Sequence, residues 1–399
     1  MKNEDWKECS FKDLYLIPSK NGVSKPSRIR GSGYKMINMG ELFSNDRIYD
    51  IPMELVPLTE LEKQSSKVEK GDLLFARQSL VAEGAGKCSI VMDVSPLTVF
   101  ESHLIRVRLN PLKADSLFFY YYFKSPKSPI KRIIQHCVQA GIKASDLAEL
   151  IVKIPSLAKQ KEIAKILSAL DDKIELNNAI NRNLEEQAQA LFKNWFVDFA
   201  PFGGKMPEDW QIGKLSDIAE YEKQKINISE LTEETYYSTE NMLPNRGGIC
   251  RAANLPSIDQ TTKCFPGETI ISNIRPYFKK IFYCTEEIAG CSTDVLCFKP
   301  KKNTLEAYNY LLLCSDNFFD YMIKGSKGTK MPRGDKSQIM NYEVNIPSEN
   351  MLQKFETIAS PILQQIKANQ HENRHLAVVR DELLPKLMLG ALDIADVRI

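Results

Sequence analysis

Ser145-Asp146-Leu147, followed by Val152-Lys153-Ile154-Pro155-Ser156, returns as Ser337-Gln338-Ile339 followed by Val344-Asn345-Ile346-Pro347-Ser348. The offset is 192 residues (337 − 145), and it holds through the segment that follows. At that offset Ile166 matches Ile358, Ser168 matches Ser360, Ile174 matches Ile366 and Asn177 matches Asn369. Asn181-Arg182 matches Asn373-Arg374, Leu184 matches Leu376 and Leu191 matches Leu383. A solenoid repeat runs about 20–50 residues, so this period is too long for one. It fits a duplicated globular domain, each copy followed by its own long helix.

The repeat reaches the front of each half. Glu4-Asp5-Trp6 with Phe11 and Asp13 matches Glu208-Asp209-Trp210 with Leu215 and Asp217, now at an offset of 204 (210 − 6). Between these landmarks, Gly71-Asp72-Leu73-Leu74-Phe75-Ala76-Arg77 echoes Gly267-Glu268-Thr269-Ile270-Ile271, with Arg275 beyond. A turn glycine, an acid and a short apolar run predict a turn entering a buried strand. Further strands are expected at Ser89–Met92, Leu104–Leu109, Lys280–Tyr283 and Val295–Phe298, and helices near Ser116–Phe123 and Leu305–Leu313. The class is α+β.

The tails differ from the heads. From Ala158 to Phe196 there is neither proline nor glycine. Apolar residues follow a 4-3 spacing at Ile163, Leu167, Leu170, Ile174, then Leu184, Ala188, Leu191, Trp195, interrupted by Asn177 and Asn181. The second tail gives Phe355, Ala359, Ile362, Ile366, then Asn369 and Asn373, then Leu376, Arg380, Leu383, Leu387. Such spacing predicts coiled-coil helices, the first about 58 Å long at 1.5 Å per residue. Pro361 is expected to kink the second or delay its start. Seam asparagines weaken packing but fix register when they face another polar group. Two arrangements fit: each helix packs on its own head with asparagines to water, or, preferred, the helices pair antiparallel and the asparagine zones meet.

At 399 residues the chain has room for two to three domains. A hydrophobic share of 43% and a charged share of 26% are ordinary for a soluble chain. Net charge is +2, which neither points to nucleic-acid binding nor excludes it, because local patches matter more than the sum. No run approaches the roughly 20 apolar residues of a membrane span, and the start lacks a signal-peptide core, which predicts a cytoplasmic protein. Nine cysteines form no Cys-x-x-Cys pair; Cys284, Cys291 and Cys297 cluster without a zinc signature and read as buried thiols.

Two strings look catalytic. His371-Glu372-Asn373-Arg374-His375 spells His-Glu-x-x-His, the pattern of a zinc peptidase. It lies inside the duplicated helix, where the first copy reads Ala179-Ile180-Asn181-Arg182-Asn183, and what the copies share is Asn-Arg. Glu83-Gly84-Ala85-Gly86-Lys87-Cys88 resembles the end of a phosphate loop, but Val81 stands where glycine is required and Cys88 where Ser or Thr is required. No methyltransferase, dinucleotide or helicase motif is present, so no chemistry on a substrate is expected, and no cofactor or metal is expected on this chain. Lys87 on its glycine-rich turn remains a candidate phosphate contact.

The clearest basic feature is Lys324, Lys327, Lys330, Arg333 and Lys336, at every third residue and interleaved with Gly325, Gly328, Pro332 and Gly334. Glycine and proline argue for a loop, suited to phosphates and base edges. A shorter counterpart in the first half is expected at Gly141-Ile142-Lys143. Other candidates for DNA contact are Arg28, Arg30 and Lys35 around Gly31 and Gly33, Arg77 after its strand, and Arg275 and Lys279 beside Tyr277 and Phe278.

Two variable heads and two helical regions, each opened by Ile-Pro-Ser, resemble the specificity subunit of type I restriction-modification systems. Ile163 through Ile174, Leu191 through Phe196, the Trp-x5-Leu-x-Asp motif at Trp210–Asp217 and the Gly-Asp-Leu-Leu-Phe-Ala-Arg stretch carry the resemblance. It implies two similar globular α/β-mixed target recognition domains joined by two long antiparallel coiled-coil helices, a pseudo-two-fold repeat. The expected boundaries are 1–154 and 201–346 for the recognition domains, and 155–200 and 347–399 for the helical regions. It implies a non-catalytic subunit whose domains each read half of a bipartite double-stranded DNA target, while the helices set the spacer and dock two methyltransferase subunits. S-adenosylmethionine, and ATP and magnesium with any restriction subunits, would sit on those partners. The competing readings are a helical scaffold without DNA binding and a zinc peptidase acting through His371 and His375.

Overall fold

The computed structural model describes residues 6–79, 84–136 and 140–397. It divides into two compact units, one of Met1–Glu175 with Arg374–Ile399, the other of Leu176–Asn373. Both division points fall inside the long helices, which span Leu157–Phe196 and Glu349–Met388. Each helix gives one half to each unit. Among the described residues no helix is long and apolar enough to cross a membrane.

In the first unit Leu73–Ala76 is the centre of a five-stranded sheet, ordered Tyr15–Asn21, Leu104–Leu109, Leu73–Ala76, Cys88–Val91, Arg47–Ile48. All four of its residues are buried. Side chains alternate along a strand. Leu73 and Phe75 therefore join Phe11, Phe119 and Phe123 in one core, while Leu74 and Ala76 join Leu42, Ile48 and Phe100 in another. Covered on both faces, the strand reads as an unbroken apolar run. In the second unit Thr269–Ser272 takes the same place, between Val295–Pro300 and Ile281–Tyr283, and Ile271 and Ile270 point into opposite cores. The helices of the heads form at Ser116–Lys124 and Glu306–Leu313, close to expectation. A second sheet in this unit, with strands Lys225–Asn227, Gln260–Cys264, Ala289–Cys291 and Tyr236–Tyr237, was not foreseen.

The repeated motifs have structural duties. Gly71 and Gly267 adopt φ of +87° and +86°, a region that favours glycine. The acid that follows each accepts the backbone N–H three residues upstream, Asp72 from Glu69 and Glu268 from Phe265, both at 2.8 Å. Strand Lys7–Ser10 pairs antiparallel with Ile151–Ile154, and Gln211–Lys214 with Glu343–Ile346, so each Ile-Pro-Ser turn leaves a two-stranded ribbon and enters a long helix.

Within each unit the two half-helices run antiparallel. In the first, Arg380 Nη1 lies 2.6 Å from Asp171 Oδ1, and the Tyr121 hydroxyl donates to Asp171 Oδ2 at 2.6 Å. In the second, Asn177 Nδ2 donates to Asn373 Oδ1 at 2.9 Å and to Glu372 at 2.7 Å, and Asn369 Nδ2 donates to Asn181 Oδ1 at 2.8 Å. Asn181 Nδ2 reaches the Ile366 carbonyl at 3.2 Å.

Two expectations about the helices are corrected. Pro361 does not delay the start of the second helix, which begins at Glu349 and runs unbroken through it; it sits on an exposed position, where water can satisfy the carbonyl left without a donor, and Pro385 lies inside the same helix. Beyond Ala188 the buried residues of the first helix are Phe192 and Phe196, while Leu191 and Trp195 are only partly covered. A straight helix drifts against a 3.5-residue repeat. Here the drift turns two phenylalanines toward Tyr308 of the head and Phe355 of the second long helix.

Candidate nucleic-acid interface

In the second unit the basic run folds as a tight hairpin. Lys327 and Arg333 exchange both backbone hydrogen bonds at 2.9 Å, and Gly328 turns the chain with φ of +102°. Arg333 also bridges Ile274, just past the central strand. In the first unit Gln135 pairs with Gly141, and Gly141 pairs with Gln78. The offset of 192 carries Gln135 to Lys327 and Gly141 to Arg333. The expected shorter counterpart is therefore corrected: the two hairpins close at equivalent positions and have equal length. Cys137, Val138 and Gln139 lie outside the described residues, as do Val81 and Glu83 of the string resembling a phosphate loop.

The candidate cations fall into two groups. Six are held by carboxylates: Arg30 by Glu54 at 2.7 Å, Lys35 by Asp50 at 2.6 Å, Lys87 by Asp46 at 3.1 Å, Lys279 by Asp316 at 2.6 Å, Lys327 by Asp335 at 2.6 Å and Arg333 by Asp294 at 3.0 Å. Lys87 also donates to the Phe43 carbonyl at 2.7 Å, which ties its turn to the head. Burial alone would raise the Asp46 carboxyl, but Lys124 and Lys87 outweigh it and hold the group below the usual carboxylate range. Lys279 and Arg246 together hold Asp316 at about 2.

Arg28, Arg77, Lys143, Arg275, Lys324 and Lys330 have no side-chain partner among the described residues. Lys336 stands 6.0 Å from the Tyr221 ring centroid. The free cations of the second unit include Lys330 at the hairpin tip and Arg275 on the turn beside it, joined through the Arg275 N–H to the Pro332 carbonyl at 2.8 Å. On that turn Tyr277 and Phe278 are 47% and 38% exposed, in contact at 4.7 Å between ring centroids. Basic side chains beside exposed aromatic faces suit a nucleic-acid surface. Arg28, on the turn Ser27–Ile29, and Lys143, at the start of the short helix Ala144–Ala148, are exposed elsewhere on the first unit.

The strings with catalytic appearance have other partners. Glu372 accepts from Asn177, and His371 Nε2 lies 3.1 Å from Glu286. Among the described residues no group of three or more His, Cys, Asp or Glu side chains is placed to hold a metal ion.

The model of the type I restriction modification DNA specificity domain matches residues 3–186 and again 207–377. The chain belongs to that family. It carries the domain twice, as the internal repeat requires. A relative is the MjaIX specificity subunit of a type I restriction enzyme from Methanocaldococcus jannaschii, 26% identical, covering 98% of this chain and 95% of the relative. The HindI specificity subunit of Haemophilus influenzae is 29% identical over 67% of this chain and 55% of its own. The crystal structure of the type I restriction-modification S subunit from M. genitalium superposes with a TM-score of 0.60 at 18% identity, covering 97% of each chain, which shows a shared fold. The chain is a specificity subunit of the type I restriction-modification class, and its function is DNA sequence specificity.

Proposed function

We propose that each unit reads one half of a bipartite double-stranded DNA target, and that the chain does no chemistry itself. The observation that carries this reading is the pair of hairpins, built at the same register in both units and differing in their side chains. Equal closing positions with unequal side chains suit two readers of two sequences. Free and exposed lysines supply salt-dependent affinity for phosphates, and base-edge contacts supply specificity. The long helices, continuous from one unit into the other, set the spacer and dock two methyltransferase subunits. Those partners bring S-adenosylmethionine; restriction subunits, where present, bring ATP and magnesium.

The test is to exchange residues 1–150 for those of a relative, co-express the hybrid with its modification subunits, and map methylated sites across the genome. One half of the target changes and the other stays. A change in both halves rejects the modular reading. Deleting about four residues within Leu176–Glu186 alters the spacer and leaves both half-sites intact.

A further inference from the structure

We propose that a cavity of about 800 Å³ in the second unit receives the major-groove edge of a guanine, read by Arg275. The proposal rests on the DNA-reading function above and names the base and the residue. Arg275, Thr239, Lys280, Phe278, Asp294 and Met331 contribute to the cavity wall. Met331 belongs to the basic hairpin and Phe278 to the aromatic turn, so the cavity opens between the two features that mark this surface.

The cations of the wall are unequal. Arg251 pairs with Glu233 at 3.4 Å, and Lys280 Nζ donates to the Thr239 carbonyl at 2.6 Å. Arg275 has no side-chain partner among the described residues, and its Nε is buried without an acceptor. A buried donor left unpaired loses its hydration without a compensating hydrogen bond. Its backbone is strained as well, with φ of +50°, uncommon for a long side chain.

Neighbouring chain pins that conformation from several sides. The Arg275 N–H donates to Pro332 at 2.8 Å, and the Phe278 N–H donates back to the Arg275 carbonyl at 3.0 Å. Asn245 and Arg246, themselves at φ of +54° and +60°, donate to the Phe278 and Lys279 carbonyls at 2.7 and 2.9 Å. Strain over-determined by its surroundings clusters where a side chain must be aimed. What it positions here is an arginine that lines the cavity and has no side-chain partner among the described residues.

The ligand follows from the donor set. Arginine offers only donors, in a planar fork. Guanine presents two acceptors, O6 and N7, side by side in the major groove. Adenine sets a donor beside its N7, cytosine presents a donor, and thymine has one acceptor beside a methyl group. A phosphate needs neither a cavity nor a fixed approach, and the exposed Lys330 and Lys324 already suit it.

The experiment selects bound duplexes from a randomised pool with the full-length chain, in wild-type, Arg275→Asn and Arg275→Lys forms. Asparagine tolerates the left-handed backbone, so that variant separates base reading from strain. The wild type is expected to require guanine at one position of one half-site. Arg275→Asn loses about 10- to 100-fold of discrimination there and nowhere else. Arg275→Lys, which keeps the charge without the fork, relaxes the same position and carries the test if the asparagine variant unfolds early. Unchanged selection, or uniform weakening on all sequences with a shallower salt dependence, overturns the proposal. A wild-type chain that selects no sequence at all overturns the DNA-reading function instead.

Discussion

The hairpin at 135–141 and the hairpin at 327–333 close on equivalent backbone positions, yet one reads Gln-His-Cys-Val-Gln-Ala-Gly and the other Lys-Gly-Thr-Lys-Met-Pro-Arg. The contrast recurs in the interior. Asp72 in the first unit meets Arg108 through two hydrogen bonds, at 2.7 and 2.8 Å. Its counterpart Glu268 has no arginine; it faces Cys297 Sγ at 2.9 Å and the Glu222 carboxyl. The helix seam uses an ion pair in one unit and asparagines in the other. The two units keep the positions that backbone hydrogen bonding demands and diverge wherever a side chain only has to satisfy its own surroundings.

The acid pockets offer the largest effect through which to break the comparison. Burial raises Glu268 to about 7, with Glu222 beside it adding to the shift and Cys297 opposing it. The folded pKa lies above the ordinary value of 4.5, so the folded state binds the extra proton. Stability from this group is fully present below pH 4.5 and is lost as pH rises to about 7. Glu268→Gln should therefore gain up to about 3 kcal/mol at pH 8 and nothing at pH 4.5. Asp72→Asn should cost about 2–3 kcal/mol at neutral pH, because Arg108 then keeps one carboxylate, Glu69, beside the Lys67 carbonyl. Urea unfolding across pH 4.5–8 checks both; equal signs at pH 8 would mean that the two pockets are not opposites.

A transplant tests the hairpins themselves. Writing the sequence of 135–141 into 327–333 preserves length and register but removes Lys327, Lys330 and Arg333. DNA affinity should fall about 100-fold at 0.15 M salt, and the slope of log affinity against log salt should become shallower by about 1–2. The reverse transplant should strengthen binding through the first unit. Titrations with fluorescent duplex at several salt concentrations measure both.

The asparagine seam carries the smallest effect. Asn181→Ala strands the Asn369 amide and should cost about 1 kcal/mol. Replacing both Asn181 and Asn369 by leucine should recover that stability and loosen the register. Cysteines at 181 and 369 should crosslink within one chain; if they crosslink only between chains, the seam does not pair intramolecularly.

The helices could be read from sequence because their demands are local: no glycine or proline through Phe196 in the first tail, and a 4-3 apolar spacing in both. The central strand could be read because Leu73-Leu74-Phe75-Ala76 is buried on both faces. The hairpins could not be read as equals. Their placement depends on main-chain bonds from Ile142 to Arg77, from Gly334 to Asn273 and from Arg275 to Pro332, which leave no side-chain signature. Charge misled in the same way. Lys35 and Lys279 look free in the sequence, but Asp50 and Asp316 neutralise them from 15 and 37 positions away. Arg275 was visible as a basic residue after a strand, whereas its unpaired Nε emerges only from the packing around it.

The division of both long helices at their middles sets an order of events during synthesis. The second unit needs residues 176–373 and can close once they have left the ribosome. The first begins earlier but includes Arg374–Ile399, and Leu384, Leu387 and Met388 are part of its core. The unit that begins first is the last to be finished, and until then its core lacks the part that Leu384, Leu387 and Met388 supply.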